Sequence, residues 1–139
     1  MKIAIRYYSS TGNTKKLADA IAEAVRAEAK GVDQPLTEKA DLLFLGSAVY
    51  AFGIADEVKA FIGGLSKENV GAVACFSTAA LLPSTYKQVS KLLREKGIPV
   101  LTDEFHCRGQ FHAAHRGRPD ENDLQAAAAF ARRVVGEEK

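Results

Sequence analysis

The sequence predicts an α/β protein, a doubly wound three-layer sandwich whose sheet has five parallel strands in the order 2-1-3-4-5. Segments with a strand pattern alternate with segments of helical periodicity along all 139 residues. Residues 41–47 and 70–77 are almost continuously apolar, which is typical of parallel strands covered by helices on both faces. Right-handed crossovers place those helices on both sides of the sheet. We therefore expect one domain over residues 1–139, with ligands bound beyond the carboxyl ends of the strands.

The first strand and the first helix of this fold are joined by a short polar turn. Residues 2–8 predict the strand, and apolar residues then recur at spacings of three and four from position 17 to position 29, which predicts the helix. The turn holds small hydroxyl and amide residues around one glycine: Ser9, Ser10, Thr11, Gly12, Asn13 and Thr14. A helix N-terminus offers unpaired N–H groups and positive potential, so the turn predicts an anion site to which side chains add donors. Glycine would allow a ligand oxygen to approach the backbone, or a positive φ angle.

The turn predicts a phosphate that is held without an ion pair. No lysine or arginine lies within it, although Lys15 and Lys16 follow it. The patterns G-x-x-x-x-G-K-[ST] and G-x-G-x-x-G are both absent, which disfavours the usual modes of nucleoside triphosphate and dinucleotide binding. The competing interpretation is that Ser10, Thr11 or Asn13 only caps the helix, but a cap needs one such residue and the turn has five.

The remaining elements continue the alternation of strand and helix. Lys30 and Gly31 predict the end of the first helix, and residues 32–36 a short edge strand that tolerates Pro35. Helices are predicted at residues 55–65 and 84–96, and a last helix opens at residues 119–123, where acidic side chains suit the helix dipole. Residues 98–105 predict the fifth strand, and residues 107–118 a loop. Three loops then meet at the carboxyl edge of the sheet, at residues 9–14, 48–53 and 77–83.

Composition and charge disfavour several classes of function. The formal net charge of +2 gives no reason to expect a nucleic-acid or anionic-membrane partner. The chain has no apolar run of the roughly 18 residues that a membrane span needs, and its start has no signal-peptide pattern, so we expect a cytoplasmic protein. Cys75 and Cys107 lack a metal-binding spacing, and we expect Cys75 to be a buried free thiol. His106, Cys107, His112 and His115 form a loose cluster, and we predict no metal site there.

The polar turn also carries a resemblance to a known family. Residues 9–14, Ser-Ser-Thr-Gly-Asn-Thr, match every fixed position of [ST]-x-T-G-x-T, the phosphate-loop motif of the flavodoxin family. The resemblance covers nearly the whole chain and is to the short-chain members, because no long insertion interrupts the last strand. By position, the family's two flavin-contacting loops correspond to two groups of residues: Val49, Tyr50, Ala51, Phe52 and Gly53, and then Ser77, Thr78, Ala79 and Ala80.

The resemblance implies noncovalent binding of FMN and a role in electron transfer. The 5′-phosphate would lie at residues 9–14 and the isoalloxazine ring between the other two loops. Tyr50 or Phe52 would stack on the ring, although aromatic residues are equally common in protein cores. Gly53 would turn a carbonyl toward flavin N5, and N–H groups of residues 78–80 would bind the pyrimidine edge. The flavin would carry the chemistry, and the sequence offers no catalytic acid or base.

Two features depart from the family's pattern. Family electron carriers tend to be strongly acidic, whereas this chain is slightly basic, which puts the usual docking of redox partners on an anionic surface in question. The loop after Ser77 has no aromatic residue for the outer face of the ring and no acid beside the flavin. With less negative charge nearby, the reduced anionic flavin should be destabilised less. We therefore expect reduction potentials less negative than those of the family's low-potential carriers, as measured by potentiometric titration.

Other proteins of similar architecture can be compared through the groups they require. A response-regulator receiver needs an acidic pair after the first strand and an aspartate at the end of the third, where this chain has Ser9, Ser10 and Ser47. A small phosphotyrosine phosphatase needs a cysteine in its first loop, and none is present. Two alternatives stay open: a small FMN-dependent quinone reductase, and a phosphate- or nucleotide-binding interaction module without redox activity. The sequence does not identify the redox partner protein or small electron acceptor.

Overall fold

The computed structural model describes residues 1–9, 12–49, 54–79, 86–108 and 117–136. Its sheet has five strands, and every neighbouring pair is parallel. In chain order they are β1 (Ile3–Tyr7), β2 (Ala29–Gly31), β3 (Leu42–Val49), β4 (Val73–Ala79) and β5 (Phe105–Arg108). The strands lie side by side in the order β2-β1-β3-β4-β5, which confirms the predicted doubly wound topology. The described residues form four helices beside them: α1 (Asn13–Val25), α2 (Asp56–Gly63), α3 (Tyr86–Glu95) and α4 (Glu121–Val134).

Two hydrophobic clusters lie on opposite faces of the sheet. One contains Leu43 and Leu45 together with residues of α2 and α3, and the other contains Leu42 and Phe44 together with residues of α1 and α4. Successive residues of a strand point to opposite faces, so both sets must be apolar when both faces are covered. This is why residues 41–47 form an almost unbroken apolar run. Phe130 of α4 packs edge to face against Phe44, with the ring centroids 6.1 Å apart.

The predicted boundary between the first helix and the second strand is wrong. Lys30 and Gly31 do not end the helix but lie in β2, and residues 32–36 form no strand. The helix ends earlier, where Arg26 takes a left-handed φ of 58° and donates its N–H to Ala22 O. A left-handed residue closes a helix by capping its last carbonyls, usually as glycine. Because the chain uses arginine here, the sequence carries no stop signal.

The predicted fifth strand is also misplaced. Residues 98–105 were expected to pair, yet only Val100 forms an isolated bridge, with Val73, and regular pairing begins at Phe105. Cys107 lies in β5, although residues 107–118 were predicted as a loop. Residues 102–104 carry two acids and interrupt the ladder. The predicted third and fourth strands begin one and three residues too early, since β3 starts at Leu42 and β4 at Val73.

Two further features of the fold bear on its function. The last helix opens as predicted, and Asp120 and Asp123 form a reciprocal capping box. The connection from β2 to β3 contains no helix, unlike the crossovers that carry α1, α2 and α3. None of the helices in the described part of the chain is both long and apolar enough to cross a membrane.

Candidate functional site

The polar turn after β1 leads directly into the N-terminus of α1. Ser9 accepts a hydrogen bond through Oγ from the N–H of Gly12 at 2.9 Å, which closes the turn. Gly12 takes a φ of 91° at the N-cap position, a conformation that side chains disfavour. No described side chain caps the helix, so nothing in this part of the chain supports the simple capping interpretation. The first turn of an α-helix has N–H groups without partners inside the helix, which is what an anion site requires.

The electrostatics of α1 differ from those of α4. The first turn of α4 contains Glu121 and Asp123, whose charges complement its dipole. The first turn of α1 contains no acidic residue, and Lys15 and Lys16 are both exposed there. Asp19 accepts a hydrogen bond from Lys15 Nζ at 2.9 Å, which raises the pKa of Lys15. The positive end of α1 is therefore not neutralised by a residue of its own first turn.

A buried hydroxyl joins the turn to the centre of the sheet. Thr14 is fully buried, and its Oγ1 lies 2.9 Å from Thr78 Oγ1, where either hydroxyl can donate. The same Thr14 hydroxyl donates to the backbone carbonyl of Ser47 at 3.4 Å. These contacts connect the start of α1 with the carboxyl ends of β3 and β4. Through its hydroxyl, Thr14 therefore holds the first turn of α1 against the sheet.

The site lies where the direction of the sheet order reverses. In the sheet, β1 lies between β2 and β3. The chain goes from β1 to β2 on one side of it and then crosses to β3 on the other side. Loops that diverge from neighbouring strands leave a crevice at this switch point, which is where doubly wound sheets bind ligands. The described ends of the turn, Ser9 and Gly12, follow β1 and precede α1, so they lie at this edge of the sheet.

The predicted ring-contacting residues are only partly described. Val49, Ser77, Thr78 and Ala79 lie in strands and not in loops, because the β3–β4 ladder pairs Ser47 with Ser77 and continues to Val49 and Ala79. This ladder places Val49 beside Ala79 at the carboxyl edge. Of the predicted cofactor-binding residues, Ser10, Thr11, Tyr50, Ala51, Phe52, Gly53 and Ala80 lie outside the described residues.

Ser47 belongs to the site but was not among the predicted site residues. Ser47 is 1% exposed and accepts the hydrogen bond from Thr14 through its carbonyl. A carbonyl contact leaves no signature in the side chain, but a polar residue at the end of an apolar run was an available signal. Asn13 was predicted as a donor and is buried at the first position of α1.

Metal and thiol chemistry find no support in the described part of the chain. It contains no group of three histidine, cysteine or acidic side chains that could hold a metal ion. His106 is exposed, and its Nδ1 lies 2.8 Å from Glu104 Oε2. Cys75 is a buried free thiol, as predicted, and burial raises its pKa to about 12. Burial likewise raises the pKa of Cys107 to about 12, so neither thiol forms a thiolate readily near neutral pH.

Comparison with known proteins agrees with this geometry. A family model described as a flavodoxin domain matches residues 4–117. A flavodoxin from the domain Archaea superposes with a TM-score of 0.78 at 17% identity, over 99% of this chain and 98% of that one. Flavodoxin 2 from Bacillus cereus, in its oxidised state, gives a TM-score of 0.73 at 20% identity over 99% of both chains.

A third similar structure is a short-chain flavodoxin associated with a non-canonical PDU bacterial microcompartment. It superposes over the full length of both chains with a TM-score of 0.75 at 17% identity. No curated protein sequence matches this chain. At such identities the structural likeness shows the fold, and the family model carries the assignment to a family.

Proposed function

This chain belongs to the flavodoxin family, and we propose that it binds FMN noncovalently and acts in electron transfer. One observation carries the proposal: the N-terminus of α1 has no described side-chain cap, opens on Gly12 with a φ of 91°, and stands at the switch point of the sheet. Such a helix end favours a phosphate monoester over a neutral group, because N–H donors and the helix dipole act together.

The residues of the turn fit the phosphate of FMN. The N–H groups at the start of α1 would donate to the phosphate oxygens. Gly12 would keep the approach open, because no described residue lies within 4 Å of a Cβ added there. Lys16 would add positive charge without entering the turn. Thr14 supports the site through its hydrogen bond to Thr78, which holds the turn to the sheet. Bound FMN supplies the one- and two-electron chemistry, and the chain supplies its position and surroundings.

The isoalloxazine ring would lie beyond the ends of β3 and β4. Their paired ends, Val49 and Ala79, support this location because the two strands run side by side to the carboxyl edge. Stacking by Tyr50 or Phe52, and the carbonyl of Gly53 near flavin N5, remain predictions. A redox partner protein or a small electron acceptor would exchange electrons at the exposed ring. The cytoplasmic location, the single-domain organisation and the less negative potentials also remain predictions.

A comparison of FMN with riboflavin tests the proposal directly. The two share the ring and differ only in the phosphate, so the turn predicts that FMN binds more tightly by roughly 10- to 100-fold, the effect of a charged hydrogen-bonding group. Affinities follow from flavin fluorescence quenching and from the visible spectrum after desalting. A protein that binds neither flavin would overturn the proposal.

Two glycine variants test the location of the phosphate. Gly12→Asp places a side chain and a negative charge at a φ of 91° and should abolish the advantage of FMN over riboflavin. Gly63→Asp is the matched control. A Cβ at Gly63 also meets no atom of the described part of the chain within 4 Å, but it lies at the end of α2. The control should keep the wild-type preference. Equal losses in both variants would show that the phosphate does not bind at the turn.

A further inference from the structure

The helical layer on one face of the sheet is incomplete. Parallel strands are normally joined through a crossover of a dozen or more residues, usually a helix. Residues 32–41, which join β2 to β3, are all described and contain no helix. On the face that α2 and α3 cover, no helix of this crossover therefore lies beside α2. Ala4 and Tyr8 of the β1 segment face this side. Val32 and Leu36 pack against the same hydrophobic cluster.

A cavity of about 590 Å³ lies at this place, between α2 and residues 31–36. We call it the α2 cavity. Its apolar walls are formed by side chains from both sides: Tyr8, Val32, Leu36, Ala60, Phe61 and Leu65. Its volume lies within the range of small-molecule sites, which are concave, mostly apolar and carry a few polar groups. A ring system can therefore enter where a helix is missing.

Hydrogen bonds hold the outer wall of the α2 cavity in place. Arg6 is 6% exposed, and its guanidinium donates to the backbone carbonyls of Gln34 at 2.8 Å and Pro35 at 3.3 Å. Gln34 N–H donates to Gly31 O at 3.1 Å, and Val32 N–H donates to Tyr7 O at 2.9 Å. A buried guanidinium bound to backbone carbonyls fixes the segment that carries them. The cavity is therefore formed before any ligand arrives, which lowers the cost of binding.

The charge of the α2 cavity selects among ligands. Asp33 and Glu57 are exposed and line it, and none of its described lining residues is lysine or arginine. This is notable in a chain with 19 basic residues and a net charge of +2. A carboxylate or phosphate on the ligand would face like charges, whereas a cation would be attracted.

We propose that the α2 cavity binds a small aromatic molecule that is neutral or positively charged. Ser9 also lines the cavity, so the site borders the polar turn without including the N-terminus of α1. Binding there does not depend on the proposed binding of FMN, because the walls are formed by the chain itself. A failure of one proposal therefore leaves the other open to its own test.

The test uses three naphthalenes of one shape: 2-naphthylmethylammonium, 2-naphthylmethanol and 2-naphthoate. Each is titrated into the full chain, with and without FMN, and followed by methyl NMR. The signals of Val32, Leu36 and Leu65 should shift, while that of Leu17 on the opposite face should not. The ammonium should bind more tightly than the alcohol by up to about fivefold, the effect of an exposed charge pair, and naphthoate should bind most weakly.

Matched variants locate the ligand. Ala60→Trp fills the cavity from an exposed position of α2 and should abolish the shifts. Ala126→Trp adds the same side chain at an exposed position of α4 and should leave them unchanged. Combined Asp33→Asn and Glu57→Gln should remove the preference for the ammonium, whereas Glu95→Gln on α3 should not.

Several results would overturn the proposal. They are the absence of shifts at millimolar naphthalene, equally tight binding of naphthoate, and loss of binding in Ala126→Trp as well as in Ala60→Trp. Shifts in the wild type confined to other methyl groups would place the ligand elsewhere. Binding of a basic amphipathic helix in preference to any naphthalene would show that the cavity is a protein-docking groove and would also reject it.

Discussion

Replacing Thr14 with valine keeps the shape of the side chain but removes the hydroxyl that joins α1 to β4. Thr14 and Thr78 are 0% and 3% exposed, and their hydroxyl oxygens lie 2.9 Å apart. The variant also loses the longer hydrogen bond, 3.4 Å, to the carbonyl of Ser47. Valine fills the same volume, so the change tests the hydrogen bonds and not the packing.

The expected cost follows from the burial of both groups. A neutral hydrogen bond contributes about 1 kcal/mol net, and a buried polar group that loses its partner adds about 1–3 kcal/mol. We expect Thr14→Val to lower the free energy of unfolding by about 2 kcal/mol. For a chain of 139 residues this corresponds to a fall in Tm of roughly 6 °C.

Urea denaturation of a double-mutant cycle measures the interaction itself. Thr78→Val alone should cost a similar amount, and the double variant should cost about 1 kcal/mol less than the sum, because neither hydroxyl is then left without its partner. As a control, Ser90→Ala in α3 removes a hydroxyl bonded within its own helix and should be additive with Thr14→Val. Additivity of Thr14→Val with Thr78→Val to within about 0.3 kcal/mol would refute the reasoning.

Two further predictions concern the dependence of stability on pH. The pKa of Cys75 is raised from 9.0 to about 12 in the folded state. Above pH 9 the unfolded state therefore loses the thiol proton first, which lowers the free energy of unfolding. Below pH 9 the thiol stays protonated in both states and has no effect. Urea denaturation at pH 8 and pH 10.5 should show the wild type losing about 2 kcal/mol more than Cys75→Val, and parallel losses would contradict the burial of the thiol. Asp123 behaves in the opposite sense. Hydrogen bonds from Arg118 lower the pKa of its carboxyl below 3.8, so the ionised carboxylate stabilises the folded state at neutral pH. This stabilisation disappears as the pH falls below 3.8 and through the lowered pKa. Asp123→Asn should cost about 0.5–1 kcal/mol at pH 7, and its difference from the wild type should vanish by about pH 2; an unchanged difference at low pH would exclude the ion pair as the cause.

The sequence predicted those elements whose residues carry their own signal. The cores of β3 and β4 were recognisable because strands buried on both faces must be apolar at every position. β2 was not recognisable, because its three residues, Ala-Lys-Gly, have no strand pattern. They form a strand only by pairing with the edge of β1. The end of α1 was missed for a related reason. Arg26 adopts the left-handed conformation that ends the helix, and a sequence indicates this conformation only when the residue is glycine.

The candidate site divides in the same way. The polar turn was predictable because strand, hydroxyl-rich turn and helix follow one another in the chain. The contact between Thr14 and Thr78 was not, because it depends on the register of three strands and on the height of α1 above them. The α2 cavity could not be predicted either, because residues 32–36, which form one of its walls, were predicted to be a strand. The predicted strand does not form at these residues. The buried guanidinium of Arg6 instead donates hydrogen bonds to the backbone carbonyls of Gln34 and Pro35.

The hydrogen bonds of Thr14 also set the order in which this protein can acquire its site during folding. They join positions 33 and 64 residues apart in the chain. Closing such long loops costs entropy before any contact is gained, so we expect these contacts to form late in folding. While the chain emerges from the ribosome, β1, the turn and α1 are complete long before Thr78 is synthesised. A nascent chain that has not reached β4 can form the helix end, but it cannot yet anchor the turn to the sheet.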